Sequence, residues 1–153
     1  MTIISMMLIA ALTGTWMAEN RRVPDTFTLI GESMAWPKRI LWYIATWGAL
    51  FGIAPSLIEK AGDWQWVAFL IIGFGIVICL LPGEIDESDA DHAIDKFFRL
   101  MFVVAVQILA VVTGRWMLLF LWIPATAIAY NRKQKIFIFT VTAISEIYTL
   151  AIL

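Results

Sequence analysis

The sequence predicts an all-α, polytopic integral membrane protein folded as a six-transmembrane-helix bundle. Three observations predict it. Of its 153 residues, 61% are hydrophobic and 15% charged, against roughly 45–50% and 25% in an ordinary soluble domain, and mean hydropathy is +0.85. The apolar residues gather into six runs close to the length of about 20 residues that a bilayer-crossing helix needs. The basic residues cluster on alternate connections between those runs. A chain this short makes one domain, 1–153. Disorder is excluded, because disordered chains are polar and highly charged. A net charge of −1 offers no basic surface for nucleic acid. The single cysteine, Cys79, allows no intramolecular disulfide and no cysteine metal cage.

The first run, 2–18, has no Lys or Arg before Arg21. It therefore lacks the basic leader of a signal peptide and is expected to be the first span. The second, 40–58, follows Pro37, which stops continuous helix from entering it. Gly62-Asp63 separates it from the third, 64–82, which Pro82-Gly83 ends. The fourth is 97–114 and the fifth 116–130, with Arg115 between them. One long helix would bury Arg115 in the bilayer at high cost. A tight hairpin through Thr113-Gly114-Arg115 is favoured, since glycine suits a helix end. Asn131 follows the fifth run, and the sixth is 136–153. Pro55 and Pro124 are expected to kink or locally unwind their helices. Gly73 and Gly75 mark the middle of the third run, and Gly48 and Gly52 form a G-x-x-x-G spaced for close helix approach.

Aromatic residues at the run ends predict two interfacial belts. Trp16, Trp36, Trp42, Tyr43 and Tyr130 make one, and Trp64, Trp66, Trp116 and Tyr148 the other. Six spans place both termini on one side. The connections on the opposite side carry Arg21, Arg22, Lys38, Arg39, Lys96, Arg132, Lys133 and Lys135, with Arg99 one turn into the fourth run. The termini side has only Lys60 and Arg115. The positive-inside rule then puts the basic connections in the cytoplasm and the termini outside.

Three places draw attention as sites. The longest connection, 19–39, contains Asp25, Thr26, Thr28, Glu32 and Ser33, with apolar Phe27 and Leu29 alternating between them. It reads as a short strand or an extended interfacial connector. Its functional alternative is a lid over a cavity between helices, lined by those polar side chains. The connection before the fourth run holds six carboxylates and the only histidine within residues 84–95. A helix starting near Ser88 or Asp89 would make this an acidic N-terminal cap. The sharper alternative is a divalent-metal site of Asp89, Asp91, His92 and Asp95, since hard cations favour oxygen and imidazole adds affinity for transition metals. In the sixth run, Glu146 lies ten residues past Ile136; in the fourth, Gln107 lies ten past Phe97. A rise of about 1.5 Å per residue sets both about 15 Å deep, near the midplane. They would hydrogen-bond if their helices are neighbours. An intramembrane acid is by default a functional candidate, and interhelical packing is its plainer explanation.

No Walker loop, G-x-G-x-x-G, H-E-x-x-H or C-x-x-C occurs, and one histidine cannot build a multi-histidine centre. No cofactor and no enzymatic activity are expected.

The layout resembles bacterial members of a six-helix membrane family without an assigned activity, distantly similar to the damage-regulated autophagy modulator proteins. Pro24, Asp25, Thr26, Thr28 and Gly31 carry the resemblance in the first connection, and Leu81-Pro82 and His92-Ala93 around the fourth run. It implies a compact bundle with the first and histidine connections on one face. That family places the two connections outside, opposite to the charge count followed here. The resulting expectation is a multi-pass protein of a bacterial inner membrane, surrounded by membrane lipids. It would bind a lipid headgroup, small ligand, second copy or membrane partner through Asp25, Thr26, Thr28, Glu32 and His92. A small oligomeric transporter or channel lined by Glu146 and Gln107 is the second expectation. A metal-assisted membrane hydrolase using the Asp89–Asp95 cluster is the third.

Overall fold

The computed structural model describes residues 2–80, 90–130 and 135–153, with backbone alone for residues 2 and 90–95. These residues form seven α-helices and two 3-10 helices, and no strand occurs among them. The helices are α1 Thr2–Asn20, α2 Phe27–Ser33, α3 Trp36–Ala61, α4 Gln65–Leu80, α5 Ala90–Val112, α6 Trp122–Ala129 and α7 Lys135–Ile152. The 3-10 segments are Gly62–Trp64 and Trp116–Leu121. Three segments are long and apolar enough to cross a membrane: Ile3–Asn20, Trp36–Leu80 and Lys135–Ile152. The middle one, 45 residues long, is α3 and α4 with the 3-10 turn between them. The exterior carries many large apolar side chains, among them Ile4, Ile44, Phe51, Phe69 and Ile123. A soluble monomer rarely exposes so much apolar surface.

Named contacts fix the direction of each helix. Glu19 near the end of α1 pairs with Lys38 at the start of α3. A Cβ on Gly48, further along α3, would lie 3.1 Å from Ser5 near the start of α1. The two helices are therefore antiparallel, and the absent side chain of Gly48 lets them approach. Leu50 packs 3.2 Å from the Cβ position of Gly75. These residues are nearly equidistant from Gly62, whose φ of +55° closes an antiparallel α3–α4 hairpin. Ser56 donates to the carbonyl of Ala151 at 2.6 Å and Lys60 to that of Leu153 at 3.0 Å, so α7 runs parallel to α3. Gln107 meets Glu146, and Arg115, just past α5, donates to the carbonyl of Leu150, so α5 is parallel to α7. Trp122 also reaches Glu146, which makes the segment after Arg115 antiparallel to α7. Direction thus alternates through all six apolar runs.

One end of the bundle carries α2, and the other carries the turns at Gly62 and Gly114. Gly114 adopts φ +75°, the left-handed conformation that glycine takes without steric cost. It ends α5 and separates it from the next run, as the hairpin expectation required.

Several expectations are corrected. The connection after α1 is neither strand nor extended connector. Thr26, with extended φ and ψ of −135° and 161°, accepts a hydrogen bond from the Leu29 N–H at 3.2 Å. That cap starts α2, a helix the two-residue alternation of Phe27 and Leu29 concealed. Pro37 does not stop helix from entering α3 but occupies its first turn, where a missing N–H costs nothing. α3 continues through Pro55, so the helix is not unwound there. The fifth run is a composite of 3-10 and α-helix, with Pro124 in the first turn of α6. Trp16 and Trp42 are not belt residues: both are buried with Leu12, Leu29, Ile30, Met34 and Phe137 beneath α2. Trp36, Tyr130, Trp64, Trp66 and Trp116 do lie exposed near the bundle ends.

Candidate functional site

α2 is held down by sterics and hydrogen bonds together. A Cβ on Gly31 would come within 2.3 Å of Trp42 Cδ1, so only glycine lets the helix rest on that indole. Phe27 packs against the same indole at a tilt of 46°, centroids 4.8 Å apart. The Trp16 indole N–H donates to Ser33 Oγ at 2.6 Å. Thr26 and Thr28 are buried, their hydroxyls 3.4 Å apart, and Arg99 of α5 donates to Thr28 at 3.4 Å. Arg39 donates to the backbone carbonyl of Glu32. Asp25 is exposed. The structure therefore brings Thr26 and Thr28 against Arg99, ten residues into α5, uses Thr26 as a helix cap, and leaves Asp25 exposed.

Asp89 lies outside the described residues, as do the side chains of Asp91, His92 and Asp95, so the metal set and the ligand role of His92 fall outside them too. Among the described residues, no three His, Cys, Asp or Glu side chains gather where a metal ion would bind.

Near mid-helix, Gln107 Nε2 donates to Glu146 Oε2 at 2.6 Å. Trp122 Nε1 donates to the same oxygen at 2.8 Å. Glu146 is fully buried, and its Oε1 has no hydrogen-bond partner among the described residues. Its neighbours Thr142, Ser145 and Thr149 each donate back to a carbonyl of α7 four residues earlier. They play no part in the cluster. Trp122 is the residue the sequence reading missed. A signal for it exists: Gln107 and Trp122 stand seven and eight residues either side of Gly114, so a hairpin there sets them at equal depth.

The other missed feature is a cavity of about 410 Å³ among α1, α3, α4 and α7, with Phe27 of α2 and Phe102 of α5 on its wall. Small-ligand pockets span about 300–1,000 Å³. Ala49, Leu50, Ile53, Gly75 and Ile78 form its inner wall. Asp25, Thr26, Thr28 and Glu32 are not on it; the first connection reaches it through Phe27 alone. Ala10, Val141 and Ser145 also line it and are exposed on the outer surface, so it opens sideways between α1 and α7.

No protein family, no curated protein and no solved structure matches this chain.

Proposed function

We propose that this chain is a six-span bundle of a bacterial inner membrane that takes a membrane-soluble apolar ligand into the cavity between α1 and α7, with no catalysis of its own. The cavity carries the proposal: it is large enough for a ligand, almost wholly apolar, and opens sideways on a face of apolar side chains. Six spans are supported by the alternating directions of the six runs. Orientation is supported by charge. Arg21, Arg22, Lys38, Arg39, Lys96, Arg99 and Lys135 lie at the α2 end, which the positive-inside rule assigns to the cytoplasm, leaving both termini outside. The resemblance to the six-helix family implies that the first and histidine connections share a face; α2 reaches α5 through Thr28 and Arg99, ten residues into that helix.

The test is extraction of the purified chain followed by mass spectrometry. The wild type is expected to retain an apolar compound in stoichiometric amount, and Val141→Trp, which fills the mouth, to lose it. A wild type that carries none and takes none up from supplied lipid overturns the proposal.

One observation favours a second reading, transport. Glu146 is a fully buried acid with one oxygen unpartnered among the described residues, and buried acids mark proton and ion paths in membranes. Proton or ion flux in liposomes that disappears in Glu146→Gln would support this; flux equal in the two proteins would sink it.

A further inference from the structure

α1 is held unevenly along its length, and the loosely held part borders the cavity mouth. Its last turns are anchored. Leu12 and Trp16 are buried in the cluster beneath α2, the Trp16 indole donates to Ser33, and Glu19 pairs with Lys38. From residue 3 to residue 11, by contrast, no side chain is buried. Within that stretch Ser5 rests over Gly48 of α3, which has no side chain to interlock with it. Met6, Ile9, Ala10 and Thr13 are the α1 part of the cavity wall, so the wall is built from the loosely held part and the residues just beyond it.

α7 faces this stretch across the mouth. Phe137 of α7 belongs to the same buried cluster as Leu12 and Trp16, so the two helices meet at the α2 end. From there they flank the cavity and do not pack closely along each other. Phe137 is about level with the midpoint of Leu12 and Trp16. Four residues further from α2, about 6 Å along each helix, come Ala10 and Val141, both exposed at the mouth. Ala10 and Ser145 are small, which lets two membrane helices approach closely.

The joint between the two parts of α1 is Thr13-Gly14-Thr15. Gly14 is the one glycine of α1, and a methyl there would meet nothing within 4 Å, so close packing is not what requires glycine. Glycine inside a helix weakens it. Thr13 and Thr15 donate to the carbonyls of Ile9 and Ala11 at 2.8 and 2.9 Å, and hydroxyls bonded back in this way bend helices. Gly–Ser pairs are among the few places where helices kink by more than about 20°, and threonine presents the same hydroxyl. Met6 lies eight residues, about 12 Å, beyond Gly14. A kink of about 20° carries it about 4 Å, the contact distance of two apolar side chains.

We propose that residues 3–13 of α1 form a lid that bends about Thr13-Gly14-Thr15, swings toward α7 and closes the mouth of the cavity. The structure shows the lid open. This rests on the ligand-binding reading above and adds its regulation.

The test uses the full chain with Ala10→Cys and Val141→Cys in a Cys79→Ala background. In liposomes under mild oxidation, the two thiols are expected to form a disulfide as the lid closes. Gly14→Ala, which fits the open structure and stiffens the joint, is expected to slow that reaction roughly 2- to 5-fold, the Boltzmann factor of glycine's cost inside a helix. Gly73→Ala, whose methyl also meets nothing within 4 Å, is expected to leave the rate unchanged. After prolonged detergent washing, the oxidised chain is expected to keep at least roughly twice as much extractable apolar compound as the reduced one. No disulfide, or a rate that Gly14→Ala leaves unchanged, overturns the lid; if the compound is still retained, the ligand-binding reading stands. Equal retention by the oxidised and reduced chains overturns its gating role. A chain that retains no compound in either state overturns the ligand-binding reading and the gate with it.

Discussion

Gln107 on α5 and Glu146 on α7 meet at 2.6 Å, and Trp122 closes the cluster from the third side at 2.8 Å. One carboxyl oxygen thereby ties together three segments that have few other polar groups between them. Hydrogen bonds between membrane helices average about 0.6 kcal/mol and reach about 1.7 kcal/mol. A double-mutant cycle of Gln107→Leu and Glu146→Leu, read by denaturant unfolding in detergent, is expected to give a coupling energy in that range. Glu146→Leu alone is expected to destabilise more than Gln107→Leu alone, because it strands two donors, Gln107 and Trp122, whereas Gln107→Leu leaves the Glu146 oxygen still accepting from Trp122. Equal single effects would mean that Trp122 takes no share in the cluster.

Gly31→Ala tests how α2 is seated. The new methyl would fall 2.3 Å from Trp42 Cδ1, and Trp42 is buried and backed by Phe27. Neither can withdraw cheaply, so α2 must lift. Overpacking of this kind costs about 1–3 kcal/mol. Hydrogen exchange is expected to speed up across Phe27–Ser33 while that of α5 and α7 stays the same. Gly73→Ala serves as the control, since a methyl there meets nothing within 4 Å.

These two sites mark what the sequence made legible. Helical rise is fixed, so counting residues placed Gln107 and Glu146 at one depth before any packing was known. The break at Gly62 and the turn at Gly114 were legible for the same local reason, because backbone conformation there demands glycine. Facing is different. In an apolar run, core and lipid sides use the same residue types, so nothing distinguishes buried Trp42 from exposed Trp36. The cavity escaped for this reason: its wall is assembled from one face of each of several helices, and Ile53 or Ile78 looks no different from a lipid-facing isoleucine. α2 escaped because two alternating residues are too few to separate a strand from one helical turn; the informative residue was Thr26, its cap.

Among the described residues, Lys60 and Arg115 are the two basic side chains at the Gly62–Gly114 end, and both serve the last turn of α7. Lys60 binds the carbonyl of Leu153 and Arg115 that of Leu150, while Ser56 takes that of Ala151. A helix end leaves four carbonyls without partners, and cations there also complement the helix dipole. Arg115→Met is expected to cost about 1.5–3 kcal/mol, the range for hydrogen bonds to charged groups, and to speed exchange of the last α7 amides. Lys60→Met should matter less, because Lys60 is exposed.

The acidic connection makes a separate prediction. If Asp89, Asp91, His92 and Asp95 act as a helix cap, the purified protein should carry no stoichiometric divalent metal. Metal analysis of wild type and His92→Ala is then expected to give the same low content. Metal bound near one equivalent and lost on His92→Ala would instead support the hydrolase alternative.

Topology can be read with single cysteines in a Cys79→Ala background. Asp25 is exposed at the α2 end, and Asp63 lies exposed in the 3-10 turn at the opposite end. Asp25→Cys is expected to react with a membrane-impermeant maleimide only after inside-out vesicles expose the cytoplasmic face. Asp63→Cys should react in intact cells whose outer barrier is opened. The concentration of Arg and Lys at the α2 end sets this expectation, since the Lys/Arg bias of short connections decides orientation. Labelling of the two positions in the reverse sense would keep the six spans and invert the molecule. Labelling of both from one side would break the alternation itself, because α3 carries 26 residues, about 39 Å of helix, between the two ends of the bundle.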